Sequence, residues 1–183
     1  IRDSRLLGMV VGNITLILAI WIWCVEGRSW MRRLGVAAII LVIIQGVLGG
    51  IRVLENEVNY AIVHGCLGQL FFCLLTVLAI AQTKAWHNLR KVPRDDRAIP
   101  QTTGLLLIGL LFIQLVVAAI MRHKGAGLAI PTFPLTPEGK LIPTDWYFGI
   151  SIHFAHRALA VIITVAYTIW VAKLFKATTQ RYI

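Results

Sequence analysis

The sequence predicts an all-α integral membrane bundle with five transmembrane helices in the chain. Three observations predict it. The 183 residues are 58% hydrophobic and only 14% charged, whereas a soluble domain is about half apolar and about one quarter charged. The apolar residues are gathered into five long runs, each near the roughly 17–25 residues that a helix needs to cross a bilayer. Finally, the net charge of +10 sits mainly in the short segments between those runs. In a soluble chain such a charge would point to nucleic acid; between apolar runs it sets membrane orientation instead.

The runs are taken in order. The first covers residues 6–24 and carries Gly8 and Gly12. No charged leader segment or small-residue cleavage site precedes it, so no signal peptide is expected. The second, residues 34–51, holds Gln45 and the glycines Gly46, Gly49 and Gly50. Gly8/Gly12 and Gly46/Gly50 have the GxxxG spacing that lets helices approach closely, although glycine is also tolerated on lipid-facing helices. The third run is 60–81, the fourth 104–121, and the fifth 148–172. A polar stretch, 83–103, separates the third from the fourth and contains Pro93 and Asp95-Asp96.

Orientation follows from the cationic residues. The segments after the first, third and fifth runs hold eleven Lys and Arg, against six on the opposite side. Cytoplasmic loops carry the excess, which puts the N-terminus outside and the C-terminus inside. His64 then lies ~6 Å and His156 ~12 Å inside the outer boundary, at about 1.5 Å per helical residue.

Ionisable groups at membrane depth are costly and are functional candidates by default. Ser151-Ile152-His153-Phe154-Ala155-His156-Arg157 concentrates them at the start of the fifth run. His153 and His156 share a helix face. His64 has small neighbours in Val63 and Gly65 that leave room for a bulky ligand. His87 falls in the polar stretch and is expected to be solvated. His123 stands between Arg122 and Lys124 at the outer end of the fourth run, either as part of an interfacial basic cluster or as an anion contact. Gln45 and Gln114 are assigned to helix packing or to a ligand edge.

The donor set narrows the metal chemistry. No H-E-x-x-H or CxxC motif occurs, and no carboxylate lies within a run, which argues against zinc-protease and di-iron chemistry. Cys24, Cys66 and Cys73 lack ligand spacing and are read as small apolar residues. Single histidines on separate apolar helices suit axial ligation of haem iron. The simplest reading is one haem bridged by His64 and His156, as in a membrane b-type cytochrome.

Longer motifs carry a more specific resemblance. Gln45-Gly46-Val47-Leu48-Gly49-Gly50-Ile51-Arg52-Val53 followed by His64-Gly65, the run from Arg122-His123-Lys124-Gly125 to Ile130-Pro131-Thr132-Phe133-Pro134-Leu135, and His156-Arg157-Ala158-Leu159-Ala160 resemble the haem A synthase family. The likeness runs over essentially the whole chain. It implies a duplicated architecture of two four-helix bundles, of which this chain holds helices two to six of eight. Residues 1–82 would supply the second to fourth helices of the first bundle, 83–103 a cytoplasmic linker, and 104–183 the first two helices of the second. His64 and His156 would then serve different haem sites. The same alignment sets Ser4 where the family has a histidine and Ile1 where it has a glutamate, and serine cannot replace imidazole on iron.

The activity implied is oxidation of a methyl group of haem O to the formyl of haem A, for cytochrome oxidase assembly. By the resemblance, haem b is the cofactor, with His156 as its axial ligand, and His64 is the catalytic residue and iron ligand at the substrate site. Arg122, His123 and Arg157 would bind cofactor, the cationic groups meeting propionates by charge-assisted hydrogen bonds, and His153 would support His156. Partners implied are the lipid bilayer, haem O, haem O synthase and an electron donor, with a homo-oligomer open. The location implied is the bacterial plasma membrane, or alternatively the mitochondrial inner membrane. Two other classes stay open: an electron-carrying b-type cytochrome and a non-catalytic haem-binding assembly protein.

Overall fold

The computed structural model describes residues 2–55, 57–89 and 101–179, with side chains for 6–55, 57–88 and 101–176. Every regular element among the described residues is helical: α1 (Arg2–Val25), α2 (Ser29–Glu55), α3 (Val58–Ala81), α4 (Lys84–Leu89), α5 (Gln101–His123) and α6 (Phe148–Thr179). All but α4 are long and apolar enough to cross a membrane. The five expected spans are therefore present. Several helices run past their apolar segment: α2 begins at Ser29, not residue 34, because Arg32 and Arg33 extend a helix readily when their side chains reach the interface.

The chain divides into two compact units, Ile1–Pro93 and Arg94–Ile183. The division falls within the stretch 83–103. His64 belongs to the first unit and His156 to the second. Ser4 and Arg5, and the cationic residues Arg90, Lys91, Arg94, Arg97 and Arg181, have side chains outside the described residues.

In the first unit α2 is central and packs against α1 on one side and α3 on the other. The core lies toward the end where α1 meets α2: Ile22, Met31, Ala38, Phe71, Leu78 and Ala81 are buried together, with Trp30 and Trp86 against them. The turn at that end is held by ions. Arg28 donates through Nε to Glu26 at 2.9 Å and through Nη1 to the carbonyl of Ala81 at 3.0 Å. The second bond satisfies a carbonyl that the end of α3 leaves without an intrahelical partner. Thr83 then opens α4, its hydroxyl accepting the N–H of Trp86 at 3.2 Å, the ordinary N-cap arrangement. Trp86 is thereby placed beside Trp30, with ring centroids 6.4 Å apart.

The glycine expectation needs correction. Gly8, Gly12, Gly46 and Gly50 meet nothing within 4 Å that a Cβ would touch. The close approaches lie elsewhere: a Cβ on Gly35 would be 3.6 Å from Ile22, and one on Gly49 would be 3.4 Å from the His64 ring. GxxxG marks a face without identifying its neighbour, and here the faces used within the unit are one residue or more away from the motif.

The second unit is a hairpin of α5 and α6 joined by a long loop, residues 124–147. Helix α5 stops at a glycine signal. Gly125 has φ +70°, the left-handed region that only glycine enters cheaply. Its N–H bonds to the Arg122 carbonyl, and that of Ala126 to Met121, which completes a Schellman cap. Arg122 and His123 sit in the last turn, where the negative end of the helix dipole favours cations.

Candidate functional site

In the first unit, the site is built on one face of α2. Gln45 and Gly49 are one turn apart, so they point the same way. Gln45 donates through Nε2 to the backbone carbonyl of His64 at 3.0 Å. One turn along, the absence of a side chain at Gly49 lets the His64 ring lie against α2. The imidazole is half-buried, and its Nδ1 is buried with no hydrogen-bond partner.

In the second unit, the same relation recurs. Gln114 of α5 donates through Nε2 to the backbone carbonyl of His156 on α6, also at 3.0 Å. The Nδ1 of His156 is again buried without a partner, and so is Oε1 of Gln114. Two helical hairpins thus each pair a glutamine on the first helix with a histidine on the second. The sequence assigned both glutamines to packing or a ligand edge, and the specific carbonyl contact escaped it. The signal that could have found it is the pair of lone amides, each inside an apolar run that precedes a histidine run.

The 124–147 loop folds back onto α6 beside His156. Its anchor is the backbone of Ile130, a buried residue. His153 accepts the Ile130 N–H through Nδ1 at 3.3 Å, and Arg157 donates through Nη2 to the Ile130 carbonyl at 2.8 Å. His153 and Arg157 are four apart, on one helix face. The guanidinium also lies over the Phe133 ring, 5.5 Å from its centroid, within cation–π range. Trp146 meets Phe154 edge-on at 5.4 Å. His153 is therefore engaged with the loop. Arg157 spends one donor on it, and a guanidinium has five.

Arg122 and Lys124 are exposed and His123 is half-buried. None of the three side chains has a hydrogen-bond partner among the described residues, so this end of α5 presents free donors. His87 is exposed on α4. Cys66 is buried, whereas Cys24 and Cys73 are exposed.

The donor chemistry constrains what the histidines hold. Among the described residues no group of three or more His, Cys, Asp or Glu is placed to bind a metal ion. An iron already held in a macrocycle needs only an axial imidazole on a face, and each unit offers one on an apolar hairpin. The residues fit that group. The fold defines a polytopic membrane protein that offers one half-buried histidine on a helical hairpin in each unit.

Comparison with known proteins makes this specific. The family model for cytochrome oxidase assembly protein matches residues 4–183, and the chain belongs to that family. It is similar to the heme A synthase of Geobacillus kaustophilus, 25% identical over 174 residues that cover 93% of this chain and 52% of that protein. It is likewise similar to the heme A synthase of Rhodopseudomonas palustris, 29% identical over 186 residues covering 92% of this chain and 48% of that protein. The heme A synthase of Bradyrhizobium is 28% identical over 179 residues, which cover 85% of this chain and 47% of that protein. The chain thus spans about half the length of the curated relatives it matches. No solved structure matches it.

Proposed function

We propose that this chain is part of a membrane oxidoreductase of haem A biosynthesis, which oxidises a methyl group of haem O to the formyl of haem A for cytochrome oxidase assembly. The observation that carries the reading is the pair of equivalent hairpins, each presenting one histidine, in a chain of this family. His64 lines the substrate site and is the catalytic residue there. His156 holds a haem b cofactor from the second unit. When bound, that haem supplies electron-transfer chemistry.

The protein's own groups do the rest. Gln45 and Gly49 fix the turn and ring of His64 against α2, so the imidazole faces the substrate from a set position. The apolar walls of both hairpins exclude water from the reacting edge. Arg122, His123 and Arg157, grouped at the outer ends of α5 and α6, hold carboxylates of the macrocycle by charge-assisted hydrogen bonds. The electron donor and haem O synthase are the protein partners this reading brings. Its place is the bacterial plasma membrane, as the bacterial relatives suggest.

The test uses the full-length gene product, produced with a source of haem O. Pigment extraction that yields haem A supports the enzyme. Reversible reduction of haem that is never modified makes the protein a b-type electron carrier. His64→Ala is expected to stop conversion while haem b is retained, and His156→Ala to lose haem b. Unchanged haem spectra in both variants would sink every haem reading.

A further inference from the structure

The α5–α6 hairpin fixes how deep its connecting loop reaches. Gln114 bonds to the His156 carbonyl, and a Cβ on Gly104 would lie 3.3 Å from the Trp170 ring. Two contacts thus set the antiparallel register. Gln114 is nine residues from the end of α5 at His123, and His156 is eight from the start of α6 at Phe148. At about 1.5 Å per residue the two helices end nearly level. The apolar run of α5 reaches the same end, because Arg122 is the first charged residue of the helix. With 23 residues, α5 spans ~34 Å against a hydrocarbon core of about 30 Å. Little of its end can stand clear of the bilayer.

The loop does not stay at that level. A Cβ on Gly149 would be 3.4 Å from that of Ala129. Ile130 bonds to His153 and Arg157, five and nine residues beyond Phe148. Its backbone therefore lies about 8–14 Å inside the helix ends. Irregular backbone at membrane depth is tolerated where protein satisfies its polar groups, and the N–H groups of this tip meet that condition. The Ala129 N–H bonds to the Ala126 carbonyl, the Ile130 N–H bonds to His153, and proline at 131 has no N–H. Composition agrees with depth. Residues 125–137 carry no charge, and Lys124, Glu138, Lys140 and Asp145 all fall outside them. On either side of the tip Leu128 and Phe133 are 83% and 81% exposed.

We infer that residues 125–137 form a re-entrant loop: the tip, 129–131, sits inside the bilayer boundary against α6, and Leu128 and Phe133 meet lipid acyl chains. The partner of this surface is the hydrocarbon edge of the leaflet, continuous with the apolar faces of α5 and α6. Trp146, packed edge-on against Phe154, supplies the amphipathic ring common at such a boundary. The inference depends on the membrane spans and on no haem reading.

The experiment places a nitroxide, through a ketone-bearing amino acid, at position 128, 133 or 140 of the full-length protein in phospholipid nanodiscs. Position 106 is the lipid control, since Leu106 is an exposed apolar residue of α5. Oxygen partitions into acyl chains and a nickel chelate stays in water, so the ratio of their collision rates reads depth. The ratio at 128 and 133 is expected to match that at 106 and to exceed that at 140 several-fold. Nickel collisions at 128 or 133 as frequent as at 140 would make this an aqueous loop and overturn the inference. Low access to both reagents would mean that protein covers the surface, which overturns it equally. The native chain gives a second reading that needs no substitution. Irradiation in phospholipid with a photoreactive acyl chain is expected to leave lipid adducts on the peptide holding 125–137, and adducts confined to the helices would refute the contact.

Discussion

His153 and Ile130 are joined by a hydrogen bond from the Ile130 backbone N–H to Nδ1 of the imidazole, at 3.3 Å. The bond ties a loop peptide to the first turns of α6, one turn before Arg157 takes the carbonyl of the same residue. Both backbone hydrogen-bonding groups of one buried residue therefore find their partners on a single helix face. The loop is docked by its backbone, which explains why so many of its side chains, including Leu128, Phe133 and Leu141, remain exposed.

Removing the histidine leaves a buried N–H without an acceptor, a loss of about 1–3 kcal/mol. His153→Phe keeps the ring volume and deletes the acceptor, so it is expected to release the loop without collapsing the helix pair. Limited proteolysis within residues 124–147 should accelerate roughly tenfold, since about 1.4 kcal/mol is a factor of ten. A cleavage rate equal to the native one would show that Arg157 alone secures the loop.

The spans and the histidines were legible because they depend on local composition: a run of apolar residues must form a helix in lipid, where every backbone group needs an internal partner. Contacts between helices were not. Gln45 and Gln114 are visible as polar residues in apolar runs, but which carbonyl each meets depends on the rotation of two helices, and sequence spacing does not report rotation. The same limit explains Gly49: it is in the cluster that attracted notice, yet its neighbour Gly46 is the one with the familiar spacing. Arg157 could be placed by sequence on the correct turn but not on Ile130, because the loop path sets that contact.

At the opposite end of the first unit, pH is expected to act through Glu26. Arg28 hydrogen-bonds its carboxylate, and this holds the Glu26 pKa at about 2 in place of 4.5. A depressed carboxylate contributes stability that is present above its unfolded pKa and is lost as pH falls through the folded one. The window therefore runs downward from about 4.5 to about 2. Because water screens this pair, its contribution is at most about 1 kcal/mol. Thermal unfolding of native protein and Glu26→Gln should differ at pH 6 and converge toward pH 2; a constant difference across that range would refute the assignment.

Leu78 is fully buried in the first unit, at 0% exposure. Truncation to alanine opens a cavity beside Met31 and Phe71, which share its cluster. In lipid the transfer part of the usual penalty is largely absent, because acyl chains are as apolar as the core. The packing part remains, and Leu78→Ala is expected to cost about 1–2 kcal/mol, less than the 2–5 typical of water-soluble cores. Unfolding in mixed micelles measures it, and a loss above ~3 kcal/mol would show that water enters the cavity.

Gly49 sets the room available to the His64 ring. An alanine Cβ there would lie 3.4 Å from Cε1 and 3.9 Å from Nδ1, at the edge of ordinary contact, so the ring has to yield by only a few tenths of an ångström. Alanine also favours the helix by up to about 1 kcal/mol over glycine, which offsets the crowding. Valine adds two methyl groups in the same space and cannot be accommodated without moving the ring. Gly49→Ala is therefore expected to keep native stability, while Gly49→Val displaces the imidazole from α2 and weakens the adjoining Gln45 bond, itself worth about 0.6 kcal/mol in a membrane. Modification of His64 by diethyl pyrocarbonate, followed by mass spectrometry, reads the displacement without relying on bound haem. Valine should raise the rate several-fold and alanine should leave it near native. Equal rates in all three proteins would mean that the ring position is set by α3 alone, and the α2 face would lose its role in the site.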